Sequence, residues 1–124
     1  TIRYNSSEGV VMMSLDKYAT AGEKQVVVEL VRLLLEAGYA LTVFDGEEYT
    51  VDQSTSSSEV LDALATTGED VIIADKEVDV AYNRMSFELL YGNAEDGSEV
   101  VADYSASDLT TADGFFNKAY EVLS

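Results

Sequence analysis

One stretch limits the possible folds more than any other. Thr20-Ala21-Gly22-Glu23 reads as a capping box, with Thr20 at the N-cap and Glu23 three residues on, and Gly38 supplies a stop. The helix predicted over residues 21–37 carries its polar side chains Gln25, Glu29, Arg32 and Glu36 at spacings of four, three and four, a single narrow solvent stripe. Val26, Val27, Val28, Leu30, Val31, Leu33, Leu34 and Leu35 make an apolar face much wider than a surface helix needs. Such a helix must lie on a broad sheet with another element beside it, or give part of its face to an oligomer contact.

The remaining chain supplies that sheet. Residues 39–44 read as a strand, Asp45-Gly46 as a two-residue hairpin turn, and residues 48–52 as the returning strand. Alternation there turns Tyr49 and Val51 inward and Glu48, Thr50 and Asp52 outward. Ser56 and Glu59 form a second capping box. The short helix it opens runs to about residue 66, burying Val60, Leu61 and Leu64, exposing Glu59 and Asp62, and ending at Gly68. Residues 71–74 are continuously apolar, as in a buried central strand, and Asp75-Lys76-Glu77 either turns or continues it. From residue 78 the pattern alternates, with Val78, Val80 and Tyr82 on one side. Strands over residues 86–91 and 98–104, joined by a turn at 92–97, complete a meander. A final amphipathic helix spans residues 111–123, with Ala112, Phe115, Phe116, Ala119, Val122 and Leu123 inward and Gly114 weakening it. At the start, residues 1–4 alternate like a short strand, 5–9 break it, and 10–15 suit either strand or helix. Strands in runs with helices between them predict an α+β fold. Its sheet is mostly antiparallel, of five to six strands (hairpin plus meander), packed with about three helices in one compact domain over residues 1–124.

Charge sets the functional question. The chain has 24 acidic and seven basic side chains, no histidine, and a net charge of −17. Residues 33–75 contain ten carboxylates and no base, and residues 85–117 contain seven more, again with no base. Together these two stretches account for the whole net charge. An apolar content of 47% excludes a generic disordered acidic tail. Without cysteine there is no disulfide framework, thiolate metal site or thiol nucleophile, and without histidine the commonest general base is missing. No apolar run approaches the ~20 residues of a membrane span. Thr1-Ile2-Arg3-Tyr4-Asn5-Ser6 lacks the apolar core of a signal peptide, so the expectation is a cytoplasmic protein with no membrane association.

Catalysis and cofactors find little purchase. Among 24 carboxylates some pair will fall at a hydrolase-like spacing by chance, and no Gly-rich loop leads to a helix with a phosphate-binding lysine. The expectation is a non-enzyme without cofactor. Residues 93–99 and the alternating acids Asp75, Glu77 and Asp79 are oxygen-rich, but neither has the ligand order of a calcium loop, so no dedicated metal site is expected. Direct nucleic-acid binding is disfavoured, because the bases are dispersed and locally neutralised.

Reversing that argument yields a function. DNA binding rests on Lys and Arg neutralising phosphate, and a folded surface of carboxylates can occupy the same basic groove. The acids set outward along the predicted elements are Asp45, Glu47, Glu48, Asp52, Glu59, Asp62, Glu69, Asp70, Asp75, Glu95, Asp96 and Glu99. A small, cysteine-free, very acidic domain resembles the DNA-mimic inhibitors encoded by phages and mobile elements. Phe44-Asp45-Gly46-Glu47-Glu48-Tyr49, Tyr91-Gly92-Asn93 and Val100-Val101-Ala102-Asp103-Tyr104 are also similar to pieces of small phage proteins. The resemblance implies an anti-restriction or anti-CRISPR activity, with a basic, nucleic-acid-binding host protein as partner. Two rivals stand beside it. One is an interaction module that uses the wide helix 21–37 as a homodimer or partner contact; the other is an acidic surface adapted to high salt.

Overall fold

The computed structural model describes residues 14–78, 81–93 and 95–124. The strand expected over residues 1–4, the break over 5–9, most of 10–15 and the facing of Val78, Val80 and Tyr82 lie outside the described part. Helices α1 (Ser14–Tyr18) and α2 (Ala21–Glu36) lead into a hairpin of β1 (Ala40–Phe44) and β2 (Tyr49–Ser54). Helix α3 (Ser57–Ala63), strands β3 (Glu69–Val78), β4 (Ala81–Leu90) and β5 (Val101–Ala106), helix α4 (Leu109–Tyr120) and a 3-10 turn (Glu121–Leu123) follow. The five strands form one antiparallel sheet in the order β2-β1-β3-β4-β5, so α3 carries the chain over β1. This is the α+β architecture expected, with four α-helices among the described residues.

Helix α2 begins and ends as its sequence dictates. The Thr20 hydroxyl accepts the Glu23 N–H at 3.2 Å, and Glu23 Oε1 accepts the Thr20 N–H at 2.9 Å. At the other end Gly38 and Tyr39 donate back to Leu35 and Leu34, closing the last turn. Most of its wide face goes into the core. Val26, Val27, Leu30, Val31 and Leu34 are buried, each contributing about 1.5–3 kcal/mol of burial, with β1 beneath and α1, α3 and α4 around it. The large exposed hydrophobics among the described residues (Tyr18, Tyr49, Leu109 and Val122) all lie off this helix. Val28, Leu33 and Leu35 pack against the core only in part and stay half-buried.

Glu23 has a second duty. It is fully buried, and besides capping α2 it accepts N–H bonds from Gly92 at 2.7 Å and Asn93 at 2.9 Å. The β4–β5 loop is thereby tied to the first turn of α2. Gly22 and Gly97 meet there backbone to backbone, close enough that a Cβ on Gly22 would lie 2.5 Å from the Asp96 carbonyl oxygen.

Four expectations need correction. The strand expected over residues 86–91 is longer, β4 running from Ala81 to Leu90, and Asp75-Lys76-Glu77 takes the second of its two expected courses, continuing β3 to Val78: Asp75 lies opposite Arg84, and Lys76 Nζ donates to the Ala37 carbonyl at 2.5 Å. Those polar residues find partners and continue the strand instead of turning. The last strand begins at Val101 because residues 97–100 close a turn, with Val100 N–H donating to Gly97. Helix α4 starts earlier, at Leu109, since Asp108 accepts the Thr110 N–H as its N-cap. Val122 is exposed because the 3-10 turn replaces the final α-helical turn and shifts the facing.

The sheet has one covered and one open face. Leu41, Val43, Ile72, Ala74, Met85, Phe87 and Leu89 point into the core beneath the helices. No helix among the described residues covers the other face.

Candidate functional site

The open face reads as three rows across the strands. The first runs Tyr49, Phe44, Val71, Glu88, Asp103. In the second, Thr42, Ile73, Ser86 and Ser105 lie side by side, with Asp52 bonded to Thr42. The third is Ala40, Asp75 and Arg84, joined by Gln53 and Ser107 through hydrogen bonds. Phe44, Val71, Ile73 and Leu90 are half-buried and make an apolar strip down the middle. Carboxylates surround it: Asp52 on β2, Asp45, Glu47, Glu48 and Glu69 around the tips of the β1–β2 hairpin and β3, and Glu88 and Asp103 on β4 and β5.

Two irregularities in β2 set the margin of this face. One step along β1, from Val43 to Phe44, matches two along β2, from Val51 to Tyr49. The extra residue is a bulge that leaves Val51 inward but turns Tyr49 out, to 62% exposure and a ring contact with Phe44 at 5.0 Å. The inward facing expected for Tyr49, and the outward one for Thr50, fail for this reason. Thr50 instead donates to the Ala63 carbonyl of α3 at 3.0 Å. A second irregularity between Val51 and Ser54 puts Gln53 in the left-handed region (φ 53°), uncommon outside glycine. It curls the edge over the face: Gln53 N–H donates to Thr42 Oγ1 at 3.0 Å, Thr42 donates to Asp52 at 3.2 Å, and Gln53 Nε2 donates to Asp75 at 3.1 Å.

The acids expected at the surface divide into three groups. Asp45, Glu47, Glu48, Asp52 and Glu69 lie on the margin of the open face. Asp45 accepts the N–H groups of Glu47 and Glu48, both at 2.8 Å, and these bonds lower its pKa. Glu59 and Asp62 are exposed on α3, and Glu95, Asp96 and Glu99 on the loop that Glu23 draws onto the helical layer. Those five therefore belong to another side of the molecule.

Asp70 and Asp75 leave the surface altogether, with 0% and 5% exposure. Asp75 is taken by Arg84, whose Nε lies 2.7 Å from Oδ1. Asp70 Oδ2 accepts the Ala65 N–H at 2.7 Å and the Tyr91 hydroxyl at 2.6 Å, while Oδ1 has no hydrogen-bond partner among the described residues. Burial raises the Asp70 pKa against the pull of those two bonds, and the nearby charges of Asp45 and Glu69 add to the rise.

Sequence reasoning left Glu88 and Asp103 out of the site. They face each other directly across β4 and β5. Opposed like charges destabilise an antiparallel pair. Val71, Ser86, Tyr104 and Ser105 complete a cleft of about 210 Å³ around them. Only the strand register could have exposed this pair. On the β2 side a cleft of about 270 Å³ lies between Tyr49, Asp52, Thr42 and Ile73, with the Asp75–Arg84 pair at its end.

Basic side chains do not neutralise the margin. Arg32 pairs with Glu29 and Glu36, Lys24 with Asp16, and Arg84 with Asp75. Among the described residues no Lys or Arg lies within ion-pairing distance of Asp45, Glu47, Glu48, Asp52, Glu69, Glu88 or Asp103. Nor does any group of three or more acidic side chains among them converge as a metal site, and no helix is long and apolar enough to cross a membrane. No protein-family model, curated protein or solved structure matches the chain.

Proposed function

We propose that this protein binds a basic surface of another protein, of the kind that otherwise holds nucleic-acid phosphate, and so blocks it. The observation that carries the reading is the margin of seven carboxylates, without ion-paired counter-charge among the described residues, around a sheet face that no helix among those residues covers. A Lys/Arg-lined groove gains from such a surface what it gains from DNA, namely neutralisation of its own field. The chain's net charge of −17 steers the encounter from a distance and repels nucleic acid itself. Restriction and CRISPR nucleases are the partner class that its resemblance to DNA-mimic inhibitors points to, and the cytoplasm is where such an encounter takes place.

The test is displacement. A fluorescent duplex is bound to each of a panel of restriction and CRISPR nucleases, and the protein is titrated in at low and moderate salt. Competitive release from at least one nuclease, weakening as salt rises, is the expected result. Failure to release duplex from any of them at low salt overturns the reading.

A further inference from the structure

We infer that the open sheet face, and not the acids of the helical layer, is the contact, and that it takes an extended basic segment with a base, a central apolar residue and a second base. This deepens the function proposed above and rests on it. An unneutralised acid alone says little about where a partner sits, because Glu59, Asp62, Glu95, Asp96 and Glu99 are equally acidic and exposed. The open face differs in three respects. It has an apolar strip of Phe44, Val71, Ile73 and Leu90 that no helix among the described residues covers. It has acids on both sides of that strip. And it holds Glu88 against Asp103, an arrangement that costs the free protein stability and is relieved when a cation lies between them.

The spacing of the two sides defines the segment. Asp52 is on β2 and Glu88 on β4, three strand spacings (about 14 Å) across the sheet and one row apart along it, roughly 16 Å in all. An extended chain crossing the sheet diagonally covers most of that distance in about four residues at ~3.4 Å each, and the long side chains at its ends cover the rest. Bases at positions i and i+4 then reach both margins. The residue at i+2 points the same way as both and lands on Val71 and Ile73. At the Glu88–Asp103 cleft the methylenes of the base lie along Val71, and its charged end meets the two carboxylates. At the other margin the exposed Tyr49 ring and the Asp52 carboxylate offer a cation a π-face and a counter-charge. A second copy of this chain is the wrong occupant by charge, since each copy carries −17.

The probe is a synthetic peptide with two arginines four residues apart and a leucine midway, alongside a scrambled peptide of the same composition. Binding is followed by amide chemical shifts at low salt for the wild type, for Glu88→Gln and for the doubly substituted Glu59→Gln/Asp62→Asn. The patterned peptide is expected to shift β1, β3 and β4 amides and to bind more tightly than the scrambled one. Glu88→Gln should weaken it about fivefold. The helical-layer variant, which loses twice the charge, should bind within about twofold of wild type. Thermal stability of Glu88→Gln should equal or exceed that of wild type, which excludes misfolding as the cause. Equal affinity for both peptides, no binding of the patterned peptide, or greater weakening in the helical-layer variant overturns the inference. A low-salt dimer that Glu88→Gln dissociates would put a second copy on the face and also overturn it. If the duplex-displacement assay succeeds while these fail, the proposed function stands without this contact; if both fail, neither stands.

Discussion

Alanine at Gly22 and alanine at Gly114 should change stability in opposite directions, although both glycines sit in helices. Gly114 in α4 has nothing within 4 Å of the position a Cβ would take. Replacement there brings only the difference in intrinsic preference, a gain of about 0.5–1 kcal/mol. The same preference applies to Gly22 in α2, but its new Cβ would lie 2.5 Å from the Asp96 oxygen and 2.8 Å from the Glu95 oxygen. Ordinary carbon–oxygen contacts begin near 3.3 Å, so the loop backbone would have to retreat by roughly 0.8 Å. It cannot do so freely, because Gly92 and Asn93 donate to the buried carboxylate of Glu23 at 2.7 and 2.9 Å. Overpacking costs about 1–3 kcal/mol, and weakening those charge-assisted bonds adds about 1 kcal/mol more. After the helical gain is subtracted, Gly22→Ala should be about 2 kcal/mol less stable than wild type. Urea titration monitored by far-UV circular dichroism measures both variants, with the slope expected unchanged. In melting temperature the separation between them should be on the order of 10 °C. A Gly22→Ala protein as stable as wild type would refute the close packing of the β4–β5 loop on α2.

Three further outcomes follow from the electrostatics. Tyr91→Phe removes the hydroxyl donor from Asp70 and should cost about 1.5–3 kcal/mol near pH 7. The folded pKa of Asp70 is raised, so its contribution to stability is complete below the unfolded value near 3.9 and is lost as pH rises through the folded value. Without the hydroxyl the folded pKa rises further. The gap between Tyr91→Phe and wild type should therefore shrink on acidification from pH 7 toward pH 4.5, and a gap independent of pH counts against the assigned bond. Glu88→Lys converts an opposed like-charge pair into an attractive one and should raise stability by about 0.5 kcal/mol, whereas a loss would place the two side chains apart. Finally, the wild-type melting temperature should climb between low and moderate salt as self-repulsion is screened; a flat or falling profile would mean that the net charge of −17 does not strain the fold.

Much of the fold was legible because its signals are local. Thr20 and Glu23 sit three apart and bond each other at a helix start wherever that helix packs. Gly46, at φ 101°, sits in the hairpin loop that Asp45-Gly46 announces, but the loop takes four residues, 45–48, closed by the Asp45 N–H donating to the Glu48 carbonyl, in place of the two-residue turn expected. The candidate site was legible only in outline. Its hairpin acids were anticipated, but Asp75 had been grouped with them, and its burial follows from a partner nine residues away, on another strand. Asp70 is buried because Tyr91, 21 residues away, closes over it.

By itself the sequence determined the capped starts of α2 and α3, the end of α2 and the antiparallel sheet class, together with the total and linear distribution of charge, while α3 ends at Ala63, short of the expected residue 66. These depend on hydrogen bonds and periodicities that span four residues or fewer. Only the tertiary structure decided which carboxylates face solvent together, because side-chain facing depends on strand register and a single extra residue reverses it. One bulge sent Tyr49 to the open face, and one register set Glu88 against Asp103. The surface proposed to meet a basic partner depends on those two long-range pairings.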